Sequence, residues 1–183
     1  MKYLMTIGVV ILFIGVFGIS EYNALKQSRI QVDAAWGQTE NQMQRRFDLI
    51  PNLVETTKGY MKHEQGTLQA ITEARSKMNG ASTPQQKDAA NAELTSALSR
   101  LMVVVENYPT LKSDAHFTEL MHELSGTENR IAVARKDYND AIRVYNVRVE
   151  TFPSNVFASM MGYTPMQQFK ADEQAKTAPK VQF

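Results

Sequence analysis

The feature that most constrains this chain is an uncharged, almost wholly apolar run at its N-terminus, Tyr3 to Ile19. Its seventeen residues, rising about 1.5 Å each, would span about 26 Å as a helix, the lower end of a bilayer core's thickness. We therefore expect an N-terminal membrane anchor over residues 1–20.

The rival interpretation of this run is a cleaved signal peptide. Lys2 gives a minimal positive start, and Gly18-Ile19-Ser20 resembles a small-x-small cleavage site. A retained anchor is favoured because no polar linker follows and helical spacing resumes at Leu25. Lys26 and Arg29 follow the run and only Lys2 precedes it, which favours, narrowly, a cytoplasmic C-terminal domain.

The rest of the chain has helical spacing. From Leu25 to Met78 the apolar or small residues recur at gaps of three, four and seven, which predicts one amphipathic helix with a buried stripe. The stripe keeps its phase across Pro51, so we expect a kink there rather than a turn. Asn79-Gly80 ends this element.

Two further helices and a short one are predicted after Gly80. Thr83, with Gln86 three residues later, forms a capping box for the second helix, which Pro109 stops. Ser113 or Asp114 caps a third helix of about 36 residues. Ser154 or Asn155 caps a last short helix, which runs through Met161 and is closed by Gly162.

The predicted fold class is therefore all-α, a single N-terminal transmembrane helix followed by an elongated antiparallel three- to four-helix bundle. Long amphipathic helices joined by short turns must bury one another's stripes, which gives a rod about 50 Å long. We assign residues 21–169 to the bundle and residues 170–183, which are polar, small and Pro-containing, to an extended or mobile tail.

Composition excludes several classes of function. Lys plus Arg number 20 and Asp plus Glu 19, so no positive excess indicates a nucleic-acid partner. The chain has no Cys, which excludes disulfides, thiolate metal sites and a cysteine nucleophile. No Gly-rich phosphate loop or G-x-S-x-G elbow occurs. We expect no enzymatic activity, no cofactor, no metal and no small-molecule substrate.

Several ordered segments of the chain resemble one family. They include RRFDLIPNLV at residues 45–54, ENYPTLK at 106–112, TENRIAVARKDYN at 127–139, FPSN at 152–155 and the P-x-V-x-F ending at 179–183. Together these segments resemble the LemA family over nearly the whole chain. The resemblance implies an N-terminal membrane helix, an antiparallel helical bundle in the cytoplasm, and no established enzymatic activity or cofactor.

One group of candidate residues is a charge network around the proline. Pro51 frees a carbonyl near Phe47, which an Arg or Asn52 could satisfy. Charged residues next to this proline could pair across the bundle with those of the long third helix. The network is either a partly buried device that fixes helix register, which we favour, or a set of exposed ion pairs. In the favoured case Arg46→Lys destabilises the bundle. These candidates are Arg45, Arg46, Asp48, Pro51, Asn52, Glu128, Asn129, Arg130 and Arg135.

A second group is the repeat of Tyr138-Asn139 and Tyr145-Asn146, seven residues apart on one helix face. It is either a recognition stripe of aromatic and amide groups or, as we favour, a set of polar contacts between helices. The Tyr positions lie on the core stripe, where a ring is buried while its hydroxyl finds a partner.

Two remaining motifs give weaker evidence of a function. Glu119 and His122 have the spacing of paired bundle metal ligands, but no second such pair exists, so a solvated face is favoured. A Met-rich apolar cluster after the third helix either folds back onto the bundle, which we favour, or is an exposed patch for a neighbouring subunit or lipid. This cluster comprises Phe152, Val156, Phe157, Met160, Met161 and Tyr163.

The function expected from these observations is that of a single-pass protein of the bacterial inner membrane. It would be a self-associating scaffold or interaction module whose partners are the lipid bilayer and further copies of itself. The alternative is an accessory or regulatory subunit of a membrane enzyme or signalling system.

Overall fold

A computed structural model describes residues 2–61 and 63–169 of the chain. Six α-helices make up nearly all of it, and the described residues contain no strand, so the all-α prediction is confirmed. The predicted tail, residues 170–183, lies outside the described residues. The helices are α1 (Lys2–Lys58), α2 (Gln65–Gly80), α3 (Pro84–Val105), α4 (Pro109–Lys112), α5 (Ala115–Glu150) and α6 (Ser154–Met160).

Helix α1 combines two kinds of surface in 57 residues. Its N-terminal part is apolar and exposed, with side chains such as Leu12 and Ile14 facing outward. From Leu25 onward a stripe that includes Val32 and Met43 is buried. Among the described residues α1 is the helix long and apolar enough to cross a membrane, with an 18-residue window of mean hydropathy 1.9 and 0% burial.

Pro51 lies inside α1, and the helix continues through it to Lys58. Proline lacks an N–H, so the carbonyl of Phe47 loses its helical donor. Arg75 of α2 supplies a replacement donor: its Nε donates to the Phe47 carbonyl at 3.5 Å. Its guanidinium also lies 4.1 Å from the centre of the Phe47 ring. The sequence predicted that an Arg or Asn52 would donate to this carbonyl. The donor is an arginine, but it is Arg75 of α2 rather than Arg45 or Arg46 next to the proline.

The prediction of one helix from Leu25 to Met78 is wrong, because the chain turns between Lys58 and Gln65. Gly59 is unfavourable in a helix, and the backbone N–H groups of Tyr60 and Met61 both donate to the Thr57 carbonyl, which closes the turn. Met61 is buried on the far side of this turn. Helix α2 is therefore a separate element.

The predicted start of α3 is confirmed. The Gln86 N–H donates to Thr83 Oγ1 at 3.2 Å, and the Thr83 N–H donates to Gln86 Oε1 at 3.2 Å, completing the capping box. The prediction that Pro109 stops this helix is wrong: α3 ends at Val105, and Pro109 occupies the first turn of α4, where its missing N–H costs nothing.

Helix α5 follows the sequence prediction closely, whereas the N-cap of α6 is Pro153 rather than Ser154 or Asn155. Asp114 Oδ1 accepts the Phe117 N–H at 2.9 Å, which caps α5, and α5 has 36 residues. Helix α6 ends before Gly162, whose φ of +75° is the left-handed conformation that glycine adopts without strain.

The chain divides into two compact units. Of the described residues, those up to Asp33 and from Tyr138 onward form unit 1, and those from Ala34 to Asp137 form unit 2. Within unit 2, Gln42 and Arg45 of α1 contact Arg130 and Glu123 of α5, so these helix segments run antiparallel. The predicted domain boundaries at residues 20 and 170 stay predictions. The core of unit 2 is built from Met43, Ile50, Leu53, Ile71, Leu94, Leu101, Leu111, Leu124 and Ile131.

Candidate functional site

The Tyr-Asn repeat of α5 lies in unit 1 and contacts an extended segment, Tyr163–Phe169, which we call the strap. Asn139 and Asn146 are seven residues apart, which is about 10.5 Å along a helix. The tyrosines that precede them are fully buried, which fixes the orientation of this face. The two amides therefore point along one line toward the strap.

Each amide makes two hydrogen bonds to the strap backbone. Asn146 Nδ2 donates to the Met166 carbonyl at 2.8 Å, and its Oδ1 accepts the Met166 N–H at 2.8 Å. Asn139 does the same with Phe169, at 3.0 Å and 2.8 Å. A primary amide carries one donor face and one acceptor face, so it pairs with a peptide group much as a neighbouring strand would. We call these two residues the amide clamp.

The spacing of helix and strap matches. Met166 and Phe169 are three residues apart, and an extended chain covers about 10 Å in three residues, equal to the seven-residue rise of a helix. Every third strap residue therefore meets α5. The Phe169 ring lies 4.9 Å from that of Tyr138, and the Tyr163 ring 6.4 Å from that of Tyr145, measured between ring centres.

The strap is the part of this site that the sequence analysis did not identify. Both interpretations of the Tyr-Asn repeat assumed either an external ligand or a neighbouring helix. The described contacts of the two amides instead involve an extended segment of the same chain. Apolar residues at every third strap position, Tyr163, Met166 and Phe169, were the available signal.

A second polar site, in unit 2, is centred on Arg46 of α1. Its side chain is only 3% exposed, and its Nη1 donates to Asn91 Oδ1 and Thr95 Oγ1, each at 2.9 Å. The same nitrogen forms an ion pair with Glu128 of α5. Burial lowers the pKa of Arg46, and the charge and hydrogen bond of Glu128 oppose that effect. One guanidinium thus joins α1, α3 and α5.

The other predicted network residues do not join this centre. Arg45 donates to Glu123 at 3.1 Å on an exposed surface. Asp48 accepts from Gln44 on its own helix at 2.8 Å, and Arg130 donates to Gln42 at 3.2 Å. Asn52 and Asn129 are exposed, and Pro51 lies inside α1 as described.

Arg135 pairs with Asp88 of α3, a residue that the sequence analysis did not single out. Its Nε lies 3.0 Å from Asp88 Oδ1, and its Nη2 donates to Oδ2 at 3.1 Å. Burial raises the pKa of Asp88, and the charge of Arg135 opposes the shift. This pair ties α3 to α5 beside the Arg46 centre.

An open groove of about 630 Å³ runs along α1 and α5 in unit 2. Small or apolar side chains make up much of its lining, and Val133 is exposed. No group of three or more His, Cys, Asp or Glu that could hold a metal occurs within residues 2–61 and 63–169. The groove is lined by Ala34, Ala35, Gln38, Gln42, Asn129, Arg130, Val133, Ala134 and Asp137.

These features define a helical protein with an apolar N-terminal helix, a buried arginine centre and a strap held by amides. The LemA family matches residues 35–183, so the chain belongs to the LemA family. Protein LemA of Metamycoplasma hominis is 25% identical over 167 residues, covering 89% of this chain and 76% of that protein.

Two magnetosome proteins are also similar. Magnetosome protein MamQ 2 of Paramagnetospirillum magneticum is 40% identical over 74 residues, and MamQ of Magnetospirillum gryphiswaldense is 36% identical over 73 residues. Each match covers 40% of this chain and 27% of the relative. The chain thus matches about a quarter of the length of these MamQ relatives.

Proposed function

We propose that this LemA family protein is a non-catalytic scaffold anchored in the bacterial inner membrane by the N-terminal part of α1. The observation that carries the proposal is that one uninterrupted helix has an exposed apolar surface over its first five turns and a buried stripe from Leu25 onward. An exposed surface of this kind is stable in lipid and costly in water.

Anchoring supports the self-association part of the proposal. Copies confined to one bilayer share an orientation and have a high effective concentration, so even a weak side contact becomes populated. The groove beside Val133 offers such a contact, because its alanines let a neighbouring helix approach closely. Its mostly apolar lining would be covered in an assembly.

The anchor is tested by a pair of double variants. Ile11→Arg with Ile14→Arg puts two charges into the apolar run, at about 2.5–3.5 kcal/mol each near the centre of a span. We expect this variant to leave the membrane pellet on an alkaline wash while the wild type stays. Retention of the variant in the washed pellet would contradict the anchor.

The matched control carries the same two charges outside the apolar run. Ile30 is 55% exposed and Ile14 56%, and Tyr22 is also exposed, so Tyr22→Arg with Ile30→Arg changes exposed side chains of the same helix. We expect this control to remain in the pellet. Its loss would mean that the assay reports misfolding rather than anchoring.

Self-association is tested separately by the mass of the full chain extracted gently from its membrane. A multiple of 20.7 kDa supports the scaffold. A strict monomer contradicts it, and one stoichiometric foreign protein favours the accessory subunit instead.

A further inference from the structure

Helix α6 is fixed beside the end of the apolar run of α1, within unit 1. The Phe157 ring centre lies 5.8 Å from that of Phe17, and a Cβ built on Gly18 would lie 3.1 Å from Phe157 Cε1. Ser154 Oγ donates to Glu21 Oε2 at 2.8 Å. Two contacts, one apolar and one polar, therefore hold α6 where the uncharged run gives way to Glu21.

The face of α6 away from α1 is apolar and uncovered. Val156 and Met160 are one turn apart and 49% and 81% exposed, and Phe152 just before the helix is 82% exposed. Ser154 and Ala158 are buried on the opposite side. We call Phe152, Val156 and Met160 the α6 patch. It corrects the expectation that the whole Met-rich cluster folds back, because only part of the cluster does.

The segment that carries this patch has no charged side chain. From Thr151 to Phe169 there are nineteen consecutive residues without Asp, Glu, Lys or Arg. Exposed large apolar side chains in a charge-free segment are unusual on a water-facing surface. Phe157 of α6 contacts Phe17 near the end of the exposed apolar surface of α1, so α6 lies beside the end of that surface.

We propose that the α6 patch rests in the interfacial layer of the bilayer, beside the point where α1 leaves the hydrocarbon core. This inference rests on the proposed anchoring of α1. Short amphipathic elements bind in this way, with apolar side chains at the boundary of headgroups and acyl chains. The side chains of the α6 patch are uncharged, so their entry into that layer desolvates no charged side chain of the patch. The patch thus gives the anchored chain a second contact with lipid.

Because the chain has no Cys, a single introduced cysteine can carry a fluorescent label at one chosen position. Met160→Cys is labelled with an environment-sensitive NBD group, and the full chain is reconstituted into phosphatidylcholine–phosphatidylglycerol vesicles. Nitroxide lipids labelled at acyl carbon 5 or 12 quench groups at shallow or deep positions. We expect blue-shifted emission at Met160 and stronger quenching by the shallow nitroxide.

Two further labels make the result decisive. Gln167→Cys, on the exposed side of the strap in the same unit, should emit as in water and be quenched little. Leu12→Cys, inside the apolar run, should be quenched best by the deep nitroxide. A Met160 label that behaves like Gln167 while Leu12 is quenched overturns the α6 proposal and leaves the anchor intact.

Two other outcomes also overturn the proposal. An unquenched Leu12 label contradicts the anchor and the α6 contact together. Blue-shifted emission of the Met160 label without lipid quenching, together with disulfides between copies of the unlabelled Met160→Cys variant, would assign the patch to a second copy of the chain.

Discussion

Asn139 and Phe169 exchange two hydrogen bonds, one from the side-chain amide to the Phe169 carbonyl and one from the Phe169 N–H to the amide oxygen, at 3.0 and 2.8 Å. With the equivalent pair at Asn146 and Met166, this exchange holds the strap along α5. The clamp itself binds backbone atoms of the strap, and the Gln168 side chain adds a hydrogen bond from its Nε2 to the Asn139 carbonyl at 3.0 Å.

Replacing the donor half of one amide should loosen the strap. Asn139→Asp keeps the shape and the acceptor but turns a carboxylate toward the Phe169 carbonyl. We expect a loss of about 1–3 kcal/mol in the free energy of unfolding, because one partly buried hydrogen bond becomes a repulsion. Amide hydrogen exchange at Met166 and Phe169 should accelerate.

The control for this prediction is Asn41→Asp, at an exposed position of α1. It should leave strap exchange at the wild-type rate. Unchanged protection in Asn139→Asp would contradict a stabilising clamp.

Arg46 should not tolerate a lysine. Arg46 reaches Asn91, Thr95 and Glu128 with its Nη1. The ammonium of a lysine lies one bond nearer the backbone, so Arg46→Lys withdraws the donor from the buried Asn91 amide. We expect a loss of about 2–4 kcal/mol in the free energy of unfolding, measured by thermal or urea denaturation. An unchanged melting curve would refute the buried register device.

The neighbouring arginine gives the matched comparison. Arg45 pairs with Glu123 on an exposed surface, where ion pairs are worth about 0–1 kcal/mol. Arg45→Lys should therefore shift the melting midpoint far less than Arg46→Lys. Equal shifts would mean that burial does not distinguish the two sites.

Asp88 should give the fold a defined pH dependence. Burial raises its folded pKa above the ordinary value of 3.8, so between the two values the folded state binds more protons than the unfolded state. Its contribution to stability is present below the unfolded pKa and is lost as the pH rises through the folded pKa. Asp88→Asn removes that dependence.

This prediction is measured as the difference in unfolding free energy between the wild type and Asp88→Asn across the acidic range. The wild type should lose stability relative to the variant as the pH rises from below 3.8. A difference that is constant with pH, or that changes in the opposite direction, would contradict the raised pKa.

The groove predicts which surfaces meet in an assembly. Copies anchored in one bilayer meet at equal heights, so Val133→Cys should form disulfide-linked dimers in oxidised membranes. Ser99→Cys, exposed on α3, is the control and should cross-link much less. Equal cross-linking at both positions would mean that the groove is not the interface.

Local signals in the sequence predicted the parts of the fold that depend on neighbouring residues. Thr83 with Gln86 and Asp114 with Phe117 act within three residues, and both caps are present. The turn after Lys58 was missed because Thr57, Met61 and Leu68 keep gaps of four and seven, which a helix would also give. Gly59 and the polar residues after it were the opposing signal.

Contacts between distant segments could not be predicted in the same way. Asp88 and Arg135 are 47 residues apart, and nothing in their local patterns links them. The partner of Asn139 was missed because a seven-residue helical repeat facing a three-residue extended repeat is visible only when both segments are seen together. The local pattern therefore identifies residues such as Asn139 and Arg135, but it does not identify the distant residues that they contact.

Membrane anchoring by a retained apolar helix is tested most directly by the intact mass and fractionation of the protein from its native membrane. The predicted result is a species that keeps residues Tyr3 to Ile19 and stays in the pellet after an alkaline wash. A mature species that begins at Glu21 and is recovered in the soluble fraction would contradict it.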